Sequence, residues 1–190
     1  MRYSKSHKED TRRKLLDSSR ALVKKGGFDS TGVEALMSAI GLTPGAFYSH
    51  FPSKQALLEE VIREEMQYSL SMLKPQPADG GSTLNQRTKA YLSVPHAEHP
   101  EAGCVLPALG SELARIPVEV KSIIEDGLKD MHSVWNDELK DENAAWAVIA
   151  QCVGAVILAR SVKSDATRRE ILRANRAQVD ALLRSRARSD

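Results

Sequence analysis

The stretch from Thr31 to Lys54 limits what this chain can fold into more than any other. Val33, Leu36, Met37 and Ile40 recur at i, i+3, i+4 and i+7, a spacing that places all four on one face of a helix. Thr31 stands before them as a candidate cap. Gly41 follows Ile40 directly and can take the left-handed backbone that turns a chain out of a helix. Leu42 can then pack back on Ile40 or Leu36. Thr43 and Pro44 restart the helix, with a hydroxyl for the orphan N–H groups and a proline whose missing donor costs nothing at the first position. The expected product is two helices joined by a turn of about three residues, a helix-turn-helix. The second helix is too short to stand alone. Phe47 and Phe51, spaced i, i+4, are the pair that anchors it inward.

The other side chains of that second segment point beyond packing. Gly45 and Ala46 are small enough to let a backbone approach base edges. Tyr48, His50 and Lys54 supply hydroxyl, imidazole and ammonium donors suited to phosphate oxygens. Charge follows the same division. Residues 1–54 hold ten Lys and Arg against five Asp and Glu, whereas the remainder holds seventeen against twenty. Arg2, Lys5, Lys8, Arg12, Arg13 and Lys14 read as a basic arm leading into the first helix and available to a groove or to phosphates. Lys24 and Lys25 read as an ordinary solvated face.

Gly41-Leu-Thr-Pro-Gly-Ala-Phe-Tyr-Ser-His-Phe-Pro-Ser-Lys54-Gln-Ala-Leu-Leu58, preceded by Gly27-Phe-Asp-Ser-Thr31-Gly-Val33, resembles the signature of the tetracycline-repressor (TetR) family of transcription regulators. The resemblance implies that Thr31, Tyr48, His50 and Lys54 touch the DNA backbone and that Thr43, Pro44, Gly45 and Ala46 lie at or near base edges. Glu34 stands where some members place a basic, base-reading side chain, so no operator sequence carries over.

The rest of the chain reads as helix throughout. A first helix is expected from near His7 to Lys25, with Leu15, Leu16, Ser19, Leu22 and Val23 inward and Gly26-Gly27 as its stop. Ser53 caps a long helix from Lys54 to Lys74 that links the N-terminal unit to whatever lies beyond. Lys74 to Thr83 is the strong breaker cluster. A short helix from Leu84 to about Ser93 precedes a loop over 94–103. Pro107 belongs in the first turn of a helix that starts at or after Gly103 and runs to Ile116-Pro117. Val118 to Leu139, Asn143 to Val162 and Ala166 to about Arg184 complete the set. The third from last is weakened midway by Gly127, and the second from last is apolar around most of its circumference and must be buried on several sides. The fold class is all-α with about nine helices, divided into a DNA-binding unit over 8–68 and a second helical unit over 69–190.

With 42% hydrophobic and 27% charged residues in 190, the composition is that of a soluble globular protein. No signal peptide and no apolar run near the roughly 18 residues of a membrane span stand out, so the cytoplasm is the expected location. Two cysteines without paired spacing indicate neither a disulfide framework nor a four-ligand zinc site. No nucleophile motif or Gly-rich phosphate loop appears, so neither an enzyme nor a cofactor is expected. The competing class, a helical enzyme, would need convergent polar groups, and Glu112, His132 and Trp135 cannot be brought together from sequence.

Tyr91-Leu-Ser-Val-Pro-His96 with Gly103-Cys104 and Gly110-Ser-Glu-Leu-Ala-Arg115 resembles one subgroup of the same family. The resemblance implies dimerisation through the last two helices and a cavity for a small effector. Met66, Tyr91, Leu106, Leu109, Leu113, Met131, Trp135 and Trp146 are its candidate walls, each with an ordinary core role as the alternative. Their apolar and aromatic character favours a hydrophobic effector. Cys104 at a helix start would meet unpaired N–H groups and a positive dipole end, which lower a thiol pKa and would make it a redox or electrophile sensor; a small packing residue is the plainer reading. His96, His99 and Cys104 lack a fourth ligand for zinc. Cys152 is expected in the core.

Overall fold

The computed structural model describes residues 5–28, 31–74 and 83–186. Among the described residues the regular structure is entirely helical. The helices are α1 (Lys5–Gly26), α2 (Val33–Ser38), α3 (Lys54–Ser71), α4 (Leu84–Tyr91), α5 (Val94–Glu98), α6 (Val105–Leu109), α7 (Val118–Leu139), α8 (Glu142–Ser161) and α9 (Asp165–Arg186). Three tighter 3-10 segments join them: Pro44–Ser49, Pro100–Ala102 and Gly110–Ala114.

Two apolar cores result. The smaller gathers Leu15 and Leu16 of α1, Leu36 and Met37 of α2, Phe47 and Phe51, and Leu57 and Val61 of α3. The larger takes the adjacent positions Leu58 and Ile62 of α3, Val23 of α1, and most of α4 to α9. Side chains one residue apart on a helix point about 100° apart, so α3 serves both cores with different faces. It is a shared wall more than a rod leading away from the first unit. Farther along, Met66 of α3 crosses α7 at Gly127, where an added methyl would come within 2.6 Å of the Met66 terminal carbon. The glycine expected to weaken α7 therefore lets two long helices pack closely.

The helix assignments hold for the long elements and fail at short ones. The turn of the helix-turn-helix spans residues 39–43 and is longer than expected. Neither Thr31 nor Thr43 caps as expected: Gly32 occupies the cap of α2, and the Thr43 hydroxyl makes no cap bond. Ser53 does cap α3, accepting from the Ala56 N–H. The expected loop 94–103 instead holds α5 and a 3-10 turn, with Ser93 accepting from His96 N–H at the start. The helix after Gly103 ends early because Gly110 adopts φ +45°, a left-handed conformation that breaks it after five residues. The breaker cluster lies mostly outside the described residues.

α8 corrects one expectation. This 20-residue helix contains an 18-residue window of mean hydropathy 1.6, enough, by length and composition, to cross a bilayer. Here it packs between α7 and α9, and it carries Gln151 and Arg160.

Candidate nucleic-acid interface and interior cavity

Phe47 decides how the second half of the helix-turn-helix is presented. It is completely buried, with the Phe51 ring centroid 6.0 Å away and the Tyr48 ring edge-on at 5.3 Å. With Phe47 pinned inward, Tyr48 is left 66% exposed, and Thr43, Pro44, Gly45 and Ser49 form an open edge around it. Ala46 is half-buried. His50 is half-buried too; burial, with the positive charges of Lys8 and Arg12, lowers its pKa.

Two of the expected phosphate groups are committed inside the protein. Thr31 is buried and its hydroxyl donates to the Gly27 carbonyl at 2.6 Å, so it does not belong to the open edge. Lys54 Nζ donates to the Phe28 carbonyl at 2.8 Å and lies 4.2 Å from the Phe28 ring centroid, bracing the turn between α1 and α2. Two arginines of the basic arm are likewise spent. Arg12 grips Glu60 with both terminal nitrogens and stacks 4.4 Å from the Phe51 centroid. Arg13 pairs with Glu64 at 3.0 Å. Lys24, expected on a solvated face, is buried 2.9 Å from Glu65, whose other oxygen takes Arg20 at 2.5 Å. Lys8, Lys14 and Lys25 remain exposed. Arg2 and the Lys5 side chain lie outside the described residues.

Among the helices of the second unit lies a cavity of about 20 Å³ lined by Ser69, Leu73, Thr88, Tyr91, Cys104, Leu106, Met131, Trp135, Ile149, Cys152 and Val153. That is room for about one water. Of the eight candidate wall residues, Tyr91, Leu106, Met131 and Trp135 line it. Leu109 is core, Met66 faces a groove beside Gly127, and Leu113 and Trp146 border a surface groove instead. Trp146, 44% exposed and stacked on His132, is therefore removed from the cavity wall. Sequence reasoning missed Ser69, Thr88 and Cys152, whose polar or small character reads as helix-interior packing. Only the crossing of α3, α4 and α8 brings them together.

Cys104 is 1% exposed, and burial raises its thiol pKa even though the Ser69 and Tyr91 hydroxyls and the Leu106 N–H lie against the sulfur. The activated thiol expected from a helix start is overturned, because α6 has only five residues and desolvation outweighs its dipole. Cys152 is pushed up to about 12 by burial. His96 has both ring nitrogens committed, Nε2 to Cys104 N–H at 3.0 Å and Nδ1 to the Tyr91 carbonyl at 2.5 Å, while His99 sits outside beside Glu101.

An open, small-residue edge on a helix-turn-helix held by its own core defines the class of a helix-turn-helix DNA-binding domain. Residues 15–61 match the family model described as bacterial regulatory proteins, tetR family. Residues 15–61 are therefore similar to the DNA-binding unit of that family. It is 26% identical over 88 residues to the HTH-type transcriptional regulator UidR of Escherichia coli K12, covering 46% of this chain and 44% of that protein. It is 37% identical over 62 residues to the HTH-type transcriptional repressor Rv1474c of Mycobacterium tuberculosis, covering 33% of each. The chain thus spans less than half the length of these curated relatives. The fold extends further: the reduced form of E. coli NemR superposes with a TM-score of 0.71 at 21% identity, over 91% of this chain and 97% of that one.

Proposed function

We propose that the protein is a transcriptional repressor in the cytoplasm that binds a palindromic operator as a homodimer and is released by a neutral, hydrophobic small molecule. The observation that carries this reading is the joining of the Tyr48 edge, set by buried Phe47, to an apolar cavity through α3, which packs in both cores and lines the cavity with Ser69. In this reading Thr43, Pro44, Gly45 and Ala46 approach base edges while Tyr48 and His50 hold phosphates. The units divide near 8–68 and 69–190. No charged side chain lines the cavity, so a charged ligand would be left unpaired there.

Dimerisation through α8 and α9 is supported by the face α8 leaves open. Ala147, Ala150 and Leu158 are exposed in a stripe that passes Gly154, and Leu158 is 57% exposed. Small residues at this spacing let a second helix approach closely, and two recognition segments about 34 Å apart would meet successive major grooves.

A cavity that holds about one water has to expand for an effector, typically to a few hundred Å³. Expansion displaces walls that belong to α3 and to the turn before α6, so effector and operator compete, with a coupling of about 1–3 kcal/mol that is reciprocal. The test is selection of duplex DNA from a random library, footprinting of the selected site, then a screen of hydrophobic compounds for release. Protection of two symmetric half-sites and release by an uncharged compound are expected. Absence of any selected sequence would end the DNA-binding reading.

A further inference from the structure

One peptide bond is held from both sides by the two units. Its carbonyl, Gly103 O, accepts from Lys24 Nζ of α1 at 3.2 Å, and its N–H, on Cys104, donates to His96 Nε2 of α5 at 3.0 Å. The two grips are themselves fixed. Lys24 is buried and paired with Glu65 at 2.9 Å. His96 is buried and bonds the Tyr91 carbonyl through Nδ1, which makes Nδ1 the protonated nitrogen and leaves Nε2 as the acceptor. Arg160 of α8 donates to the carbonyls of His96 and Ala97 at 3.0 and 3.1 Å, tying the same corner to the apolar helix. There is no slack between ring and peptide: a methyl on Gly103 would lie 2.3 Å from the His96 ring. The residue that follows this peptide, Cys104, is a cavity wall, and so is Tyr91.

We propose that the Gly103–Cys104 peptide is the joint through which the cavity is felt by the DNA-binding unit, with Lys24 and His96 as its positioning residues. The inference rests on the reading that the cavity takes an effector and the N-terminal unit binds DNA. A molecule entering beside Cys104 displaces that side chain, and the peptide one bond away must turn. A turned peptide loses either the Lys24 or the His96 partner, both in a buried site where an unpaired group is costly. The signal therefore reaches the C-terminal end of α1 directly, in addition to any tilt of α3. A collapsed cavity holds the joint closed, so the empty protein is the form with α1 fixed.

The joint is tested by overfilling the cavity wall without any effector. Full-length Cys104→Leu, Lys24→Met and the double variant are compared by hydrogen-exchange mass spectrometry over residues 20–28, and by affinity for duplex DNA selected by the wild type. Because Lys24→Met leaves Glu65 short of a partner, Lys24→Met/Glu65→Gln serves as the second background if the single variant does not fold. Cys104→Leu is expected to speed exchange over 20–28, and to weaken DNA binding, by about tenfold or more with Lys24 present. In either Lys24 background the same substitution should change exchange by no more than about twofold. Equal factors in both backgrounds, or no effect in either, would overturn the joint. Coupled exchange with no DNA selected would leave the joint standing and remove the DNA-binding reading. Selected DNA with uncoupled exchange would do the reverse.

Discussion

Glu112 Oε2 accepts the backbone N–H of Phe28 at 2.8 Å, so a carboxylate from the second unit grips the turn that leads from α1 into the helix-turn-helix. The neighbouring Gly27 has φ +84°, and a methyl there would lie 2.0 Å from Glu112 Oε1. Two penalties therefore fall on Gly27→Ala, one from the backbone and one from the carboxylate. Urea denaturation should show a loss of about 1–2 kcal/mol from the left-handed backbone alone, plus the steric part. Adding Glu112→Ala should recover the steric part and not the backbone part; full additivity of the two substitutions would refute the contact.

Tyr48 and Lys54 are expected to separate in their effects. Tyr48 is exposed on the open edge, so Tyr48→Phe should weaken binding to every DNA sequence by about 1 kcal/mol and leave the thermal midpoint unchanged. Lys54 is bonded to the Phe28 carbonyl, so Lys54→Ala should lower the midpoint as well as DNA affinity. A Lys54→Ala protein with wild-type thermal stability would return that ammonium to a purely DNA-facing role.

Acid should loosen the corner around His96. Burial, reinforced by Arg160 and Lys24 and opposed by the hydrogen bond to Tyr91, holds His96 below its usual pKa. The unfolded chain then binds the proton first, near pH 6.5. The stabilisation is full above that pH and falls as pH drops through it towards the folded value. His50 acts in the same direction. Thermal unfolding between pH 7.5 and 5.5 should show a decline that His96→Gln reduces without abolishing. An identical decline in His96→Gln would assign the whole effect elsewhere.

The thiols should be inert in the folded protein. Cys104 and Cys152 are both buried with raised pKa values, Cys152 at about 12. A colourless-to-coloured disulfide reagent at pH 7.5 should therefore react with neither until guanidinium unfolds the chain. Rapid labelling of one thiol in native buffer would restore Cys104 as a sensor.

Leu158→Glu should convert the protein to monomers at micromolar concentration, because it places a charge in the exposed apolar stripe of α8. Sedimentation velocity distinguishes the states. A variant that remains dimeric would place the contact between copies on another face.

The long helices were legible because each repeats an apolar face over several turns, as in Val118–Leu139, where both ends match the expectation. The N-terminal motif was legible for a different reason: Gly41, Pro44, Phe47 and Phe51 each impose a local backbone or burial requirement at fixed spacing. What sequence reading lost were partners distant along the chain. Nothing near Lys24 announces Glu65, and nothing near Glu112 announces the Phe28 N–H. The same applies to α5, whose five residues, Pro95 among them, carry no periodicity to detect. The cavity was half legible, since aromatic and aliphatic walls stand out while Ser69 and Thr88 do not.

The row of pairs Arg12–Glu60, Arg13–Glu64, Arg20–Glu65 and Lys24–Glu65 has a consequence for how such a protein would search a chromosome. Residence on arbitrary DNA depends on free cations that expel condensed counterions from the phosphate chain. Here several cations of the basic end are already paired with α3 carboxylates, and under the proposed function they would meet DNA in that neutralised state. Fewer counterions would be released at each random encounter, residence there would be brief, and few copies would be lost to the excess of wrong sites. The same ion pairs that fasten α1 to α3 thereby leave discrimination to the uncharged edge around Tyr48.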